Sequence, residues 1–293
     1  MTMSPGAVRL NEYVRANRPK SIDPADMRAW FLNLVNVTPI PEDAKLELSS
    51  CPASASWIRP SSSATDRVIL YVHGGAYLLG SSRTHLELTY RLAKNAGTIA
   101  LSADYRLLPE HPYPACVDDV VETYRYLLKE GFSPQHIAIA GDSAGGGITL
   151  TTALRLRDEG LPPPACLLCI SPWTDLTGSG ETLVTNARFD SMIDTNRLPF
   201  LAQLLLLGRD ARAHSPLFAD LHNLPPLFLQ AGTAEVLFDD SRRLAERYTE
   251  AGNKVIFDPW TGMTHVFQAF PTFAPEAIEA TEKAASFIHE HLR

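Results

Sequence analysis

A serine framed by glycines, between an apolar strand and a helix, constrains this chain more than any other feature. Gly141-Asp142-Ser143-Ala144-Gly145 fits the G-x-S-x-G pattern, which bends a chain sharply at a strand–helix junction and thrusts the serine hydroxyl outward. The flanks agree. Residues 136–140 form a short apolar run that reads as a buried strand, and residues 147–158 carry an apolar stripe at helical spacing. Gly141 and Gly145 stand two residues either side of Ser143, where a side chain would collide across the bend. A Gly/Ser-rich turn with no chemistry is the bland reading, and it leaves the strand and the helix unexplained.

A second glycine segment lies upstream. His73-Gly74-Gly75-Ala76 follows an apolar strand read over residues 67–72, where lipases and esterases place part of an oxyanion hole. When a nucleophile attacks an ester carbonyl, its oxygen becomes an oxyanion, and backbone N–H groups must approach to about 3 Å. Gly74 and Gly75 are the expected donors because no Cβ shields them. Ala144, at the start of the helix after the serine, is the expected third donor, where the helix dipole also favours negative charge. Neither glycine segment ends in G-K-[ST], so a phosphate-cradling loop is poorly supported.

The remaining pattern alternates. Strands are expected over 98–103, 165–170, 226–230 and 254–257. Helices are expected near 85–95, 117–129 and 241–251, and from about residue 275 onward. Asp23-Pro24 reads as the cap and first position of a helix running toward Leu34. Such alternation predicts an α/β fold with a largely parallel sheet and helices on both faces. One stretch breaks the rhythm. More than fifty residues separate the strand ending near Ser171 from the one starting at Pro226, and residues 195–207 within them are helical in pattern and very apolar.

Composition narrows the classes. A chain of 293 residues holds one large domain with a substantial core. The net charge of −7 argues against a nucleic-acid partner. Residues 1–20 show no apolar signal-peptide core, and the greasiest run, 200–207, is too short to cross a bilayer. No membrane insertion is expected, and the cytoplasm is the expected location. Cys166 and Cys169 form a C-x-x-C, but three residues apart on a strand they point to opposite faces, and no second Cys/His pair completes a zinc site. They read as packing residues, with Cys51 and Cys116, and no metal or organic cofactor is implied.

Taken in order, these motifs resemble the hormone-sensitive-lipase-type branch of the α/β-hydrolases, especially its bacterial carboxylesterases. The matching pieces are His73-Gly74-Gly75-Ala76, Asp104-Tyr105-Arg106-Leu107-Leu108-Pro109-Glu110, Gly141-Asp142-Ser143-Ala144-Gly145-Gly146, Ser215-Pro216-Leu217-Phe218-Ala219-Asp220-Leu221 and Gly262-Met263-Thr264-His265-Val266-Phe267. The resemblance implies an α/β-hydrolase core at 47–184 and 216–293. A helical cap would be formed by 1–46 and an insertion at 185–215, an apolar cover that binds acyl chains and limits water. It also implies a carboxylesterase acting on small, apolar, short- to medium-chain esters, and members of the branch often pair as homodimers through the last strand and C-terminal helix.

Ser143 is the expected nucleophile and needs a base. Among nine histidines, His73 belongs to the glycine segment. His85, His111, His136, His214 and His222 precede the expected acid, while His289 and His291 lie on the terminal helix. His265 follows the last strand and satisfies the hydrolase order serine, acid, histidine. For the acid, relatives in the branch carry Asp-Pro-Leu-x-Asp after the penultimate strand, and the position of the first Asp is here Glu235. A glutamate can serve if the loop adjusts to its longer arm. Asp239 is the alternative, although it and Asp240 stand where a helix N-cap is expected. Arg106, Glu110, Asp118 and Asp142 read as supporting charges. Two other functions stay open. One is hydrolysis of a lactone or acetylated amide by the same machinery. The other is a non-catalytic receptor such as the gibberellin receptors, a class that lacks the histidine present here as His265.

Overall fold

Buried, β-rich runs assemble into one eight-stranded sheet. Its strands are β1 (Glu47–Leu48), β2 (Ala55–Ile58), β3 (Ala64–Val72), β4 (Thr98–Ala103), β5 (Ile137–Asp142), β6 (Cys166–Ile170), β7 (Leu227–Gly232) and β8 (Val255–Trp260). They lie in the order β1-β2-β4-β3-β5-β6-β7-β8. From β3 to β8 all neighbours are parallel, whereas β1 and β2 form an antiparallel edge against β4. The computed structural model describes residues 2–292.

The helices are α1 (Pro5–Ala16), α2 (Pro24–Val35), α3 (Leu86–Ala96), α4 (Ala115–Lys129), α5 (Ala144–Asp158), α6 (Thr182–Thr185), α7 (Leu198–Leu206), α8 (Phe238–Glu250) and α9 (Glu276–His291). Strand alternation sorts them into layers. Val68, Leu70 and Val72 of β3 share a core with α4, α5 and α8, while Ile69 and Tyr71 share the opposite core with α3 and α9. The same rule divides the cysteines of β6: Cys166 lies in the α3/α9 core and Cys169 in the other. Both faces of the sheet are therefore covered, as a parallel sheet requires.

Helices α1 and α2 start on capping signals. Ser4 accepts the Ala7 N–H ahead of Pro5, and Asp23 accepts the N–H groups of Ala25 and Asp26 ahead of Pro24. Ala7, Leu10 and Val14 of α1 and Leu34 of α2 pack in a third cluster with Met263, Phe267, Phe270 and the start of α9. The N-terminal helices thus rest on the loop that carries His265. No helix among the described residues is long and apolar enough to cross a membrane.

Two boundaries differ from the sequence expectation for a physical reason. Helix α5 begins at Ala144 rather than Gly147; its three consecutive glycines lower helix propensity, but packing requires them. A Cβ on Gly145 would lie 2.0 Å from the Val72 carbonyl oxygen, and one on Gly147 would lie 2.3 Å from that of Trp173. Helix α8 begins at Phe238, so Asp239 and Asp240 occupy its first turn rather than its N-cap, another position the helix dipole favours for acids.

Candidate active site

The turn at Ser143 is held in a conformation that ordinary residues avoid. Ser143 has φ 53° and ψ −122°, a strained region that costs about 1–3 kcal/mol and persists only when its surroundings enforce it. Here they do. The Ser143 N–H donates to the Ile170 carbonyl at 2.8 Å, and the Ser143 carbonyl accepts the N–H groups of Trp173 (2.9 Å) and Gly147 (3.2 Å). Gly141 and Gly145 meet across the bend, where a Cβ on Gly141 would lie 2.5 Å from the Gly145 oxygen. The turn leaves the Ser143 hydroxyl on the wall of a cavity of about 240 Å³.

His265 meets that hydroxyl: its Nε2 lies 2.9 Å from Ser143 Oγ. The loop carrying it is stitched in place by the Met263 carbonyl, which accepts the Ala234 N–H at 2.9 Å, and by Ser171 Oγ, which accepts the Val266 N–H at 3.2 Å. Behind the ring lies Glu235, fully buried, with Oε1 at 3.9 Å from His265 Nδ1. These two buried atoms have no hydrogen-bond partner among the described residues, so the approach of one to the other is their route to satisfaction. The other carboxylate oxygen is fixed: Glu235 Oε2 accepts the Ser171 hydroxyl at 2.7 Å and the Gly232 N–H at 3.0 Å. Asp239 is occupied elsewhere, accepting from the Thr182 N–H at 3.2 Å and from Arg242 Nε at 3.1 Å. Of the two candidate acids, the structure brings Glu235 to the histidine.

Burial disfavours the charged form of His265, but the carboxylates of Glu235, Asp190 and Asp142 outweigh it and raise its pKa above the ordinary 6.5. His73 behaves oppositely. Burial and the neighbouring His85 lower it to about 3, so it is a neutral ring stacked on Tyr105 at 4.2 Å between centroids.

The glycine segment requires one correction. Gly74 does not offer its N–H to the cavity; that group donates to Asp142 Oδ1 at 3.0 Å. Gly75 and Ala76 line the cavity instead, both with positive φ (124° and 54°). The N–H groups of Gly75, Ala76 and Ala144 find no acceptor among the described residues. Which N–H of such a segment turns inward depends on backbone dihedrals, which the glycine pattern leaves open. The structure also gives Asp142 its task. Its buried carboxylate accepts from the Tyr71 hydroxyl at 2.8 Å and from Gly74, with His85 Nε2 at 3.4 Å. Burial would raise its pKa, yet His85 and the Tyr71 hydroxyl prevail and lower it.

The rest of the cavity is mainly apolar. Met27, Trp30 and Phe31 of α2, Met192 and Ile193 before α7, Leu198 and Leu201 of α7, and Leu237 and Phe270 line it. Helix α2 is clamped to the floor by Arg28. Its guanidinium donates to the Leu78 carbonyl (3.1 Å), the Leu108 carbonyl (2.7 Å) and both carboxylate oxygens of Glu110 (3.0 and 2.7 Å). The other supporting charges pair outside the cavity: Arg106 with Asp119 at 2.8 Å, and Asp118 with Arg155.

A serine hydrolase of the doubly covered α/β type is the class that this fold and this pocket define. The chain belongs to the alpha/beta hydrolase fold family, whose model matches residues 69–269, and to its hormone-sensitive-lipase-type branch. It is 41% identical over 237 residues to an acetyl-hydrolase of Streptomyces hygroscopicus, covering 80% of this chain and 79% of that one. It is 39% identical over 235 residues to an esterase of Acinetobacter venetianus, covering 78% and 77%. In three dimensions it is similar to an esterase of the bacterial hormone-sensitive lipase family, with TM-score 0.95, 38% identity and full coverage of both chains. The chain is a carboxylic ester hydrolase.

Proposed function

We propose that this esterase acts on small, apolar esters of short- to medium-chain acids through an acyl-enzyme formed on Ser143. The 2.9 Å approach of His265 Nε2 to Ser143 Oγ inside an apolar cavity supports this reading most directly. Glu235 approaches Nδ1 of His265, fixes the tautomer and stabilises the imidazolium that forms. His265 takes the Ser143 proton as Oγ attacks the acyl carbonyl. The N–H groups of Gly75, Ala76 and Ala144, the last at the start of α5, receive the oxyanion. His265 then gives its proton to the departing alcohol, and water, activated by the same imidazole, releases the acid. Residues 1–46 and 185–215 act as the cap in this reading, because α1, α2, α7 and the turn before α7 carry most of the apolar lining.

The kinship with an acetyl-hydrolase favours short acyl groups and keeps acetylated amides in view. Rates on p-nitrophenyl esters of increasing acyl length, beside a lactone and an anilide, test the assignment. The reading predicts turnover of the short and medium esters that is lost in Ser143→Ala with the fold intact. Undiminished turnover by that variant overturns it.

A further inference from the structure

Asp190 is a buried carboxylate, 4% exposed, that the mechanism leaves unused. Its Oδ1 accepts the N–H groups of Met192 (2.9 Å) and Ile193 (3.4 Å), both on the cavity wall. Its Oδ2 accepts the N–H of Val236 at 3.0 Å, one residue beyond Glu235. One side chain therefore joins the wall that substrate touches to the loop that carries the acid. Neighbouring bonds reinforce the junction. Asn186 Nδ2 donates to the carbonyls of Thr233 (3.1 Å) and Glu235 (2.9 Å), and Asn11 Oδ1 on α1 accepts the Ser191 N–H at 3.1 Å.

Both carboxylate oxygens accept here, whereas an amide offers one acceptor and would turn its NH2 group on an N–H donor. The acid makes both bonds but buries a charge, which is costly unless the charge is used. Burial indeed raises the Asp190 pKa, and the Glu235 charge adds to it, while His265 and the Val236 and Met192 N–H groups lower it. The carboxylates of Glu235, Asp190 and Asp142 all favour the charged form of His265. A negative charge near this imidazole costs least when the ring becomes a cation, which happens as the proton leaves Ser143.

We propose that Asp190 is a positioning residue for Glu235, tying the Met192–Ile193 wall to the acid loop and adding negative charge that favours the His265 imidazolium during acyl transfer. The inference rests on the esterase reading with Ser143, His265 and Glu235 in their proposed roles. The test is a pH profile of kcat and kcat/KM on p-nitrophenyl acetate and butyrate for the wild type, Asp190→Asn and Asp190→Glu, with melting temperatures alongside. Asp190→Asn is expected to lose about tenfold in kcat, the worth of one charge-assisted hydrogen bond, with a smaller change in KM. Its acid limb moves to lower pH, because the imidazolium has lost a neighbouring anion. Asp190→Glu keeps the charge, so its limb stays at the wild-type pH while its longer arm misplaces Val236 and lowers kcat.

A wild-type rate and profile in the Asn variant overturn the proposal. So does a lower melting temperature or a lower rate with the limb unmoved, since a packing role alone would give that. Should the Asn variant fail to fold, a Glu variant with undiminished kcat, or with a displaced limb, overturns it equally. Active Ser143→Ala enzyme would instead remove the esterase reading itself, so the two failures are distinguishable.

Discussion

In the proposed mechanism His265 must be neutral to accept the Ser143 proton, so the pH at which it titrates reports on everything packed around it. Its pKa is raised, and activity should therefore climb with pH through a midpoint above the ordinary imidazole value of about 6.5. A profile of kcat/KM on a soluble ester checks this, and a midpoint below that value would contradict the buried carboxylate cluster. Glu235→Gln should lower kcat by roughly 10³–10⁴-fold, because an amide can hold the wrong tautomer and does not stabilise the imidazolium. Asp239→Asn should leave the rate within twofold, its partners being Thr182 and Arg242; parallel kinetics of the two variants decide between the acids. At this scale the pairing of Ser143 with His265 was legible in the sequence, because chemistry and chain order coincide there. The sequence was silent where a role depends on which way a group turns. Gly74 was expected beside the cavity, but Ala76 lines it with Gly75 instead, because only the backbone dihedrals decide which residue of the segment turns inward. Ser171 and Asp190 carry no motif, since their partners lie 64 and 46 residues away along the chain.

At the scale of elements, the α5 turn shows how packing overrides propensity. Gly145 sits against the carbonyl oxygens of Val72 and His73, which a Cβ at this position would approach to 2.0 and 2.5 Å, and backbone atoms of a central strand have no room to retreat. Gly145→Ala should cost at least about 3 kcal/mol, seen as a melting temperature lowered by many degrees or as failure to accumulate folded protein. The clamp of α2 offers a milder test. Arg28→Ala removes bonds to Leu78, Leu108 and Glu110 and should cost about 1–2 kcal/mol. Because Met27, Trp30 and Phe31 line the cavity, KM should rise more than kcat falls, which steady-state kinetics on a butyrate ester will show. The central strands and their helices were legible from long, regular apolar runs. The edge strands β1 and β2 were not, being two and four residues long, too short for a period to emerge. The start of α8 was displaced because acids suit a first turn as well as an N-cap.

The whole molecule carries a pH dependence separate from its chemistry. Asp240 is buried, and its pKa is pushed up to about 7 by burial and by Asp175, against the N–H groups of Asp175 and Thr174 and the charge of Arg243. The folded state thus holds this proton more tightly than the unfolded chain. Its contribution to stability is fully present below the ordinary 3.8 and is lost as pH rises through about 7. Wild-type stability should fall relative to Asp240→Asn across that window and run parallel to it above, as measured by denaturation at a series of pH values. The layered architecture was legible as alternation, but the seating of α1 and α2 on the His265 loop was not, since it joins residues near opposite ends of the chain. That seating brings α2, His265 and Ser143 around one cavity, and covalent trapping tests the convergence most directly. An organophosphate should label the protein once, at Ser143 by mass spectrometry, at a rate that rises with pH through a midpoint above about 6.5 and collapses in His265→Ala. Labelling at another residue, or an unchanged rate in His265→Ala, would contradict the account.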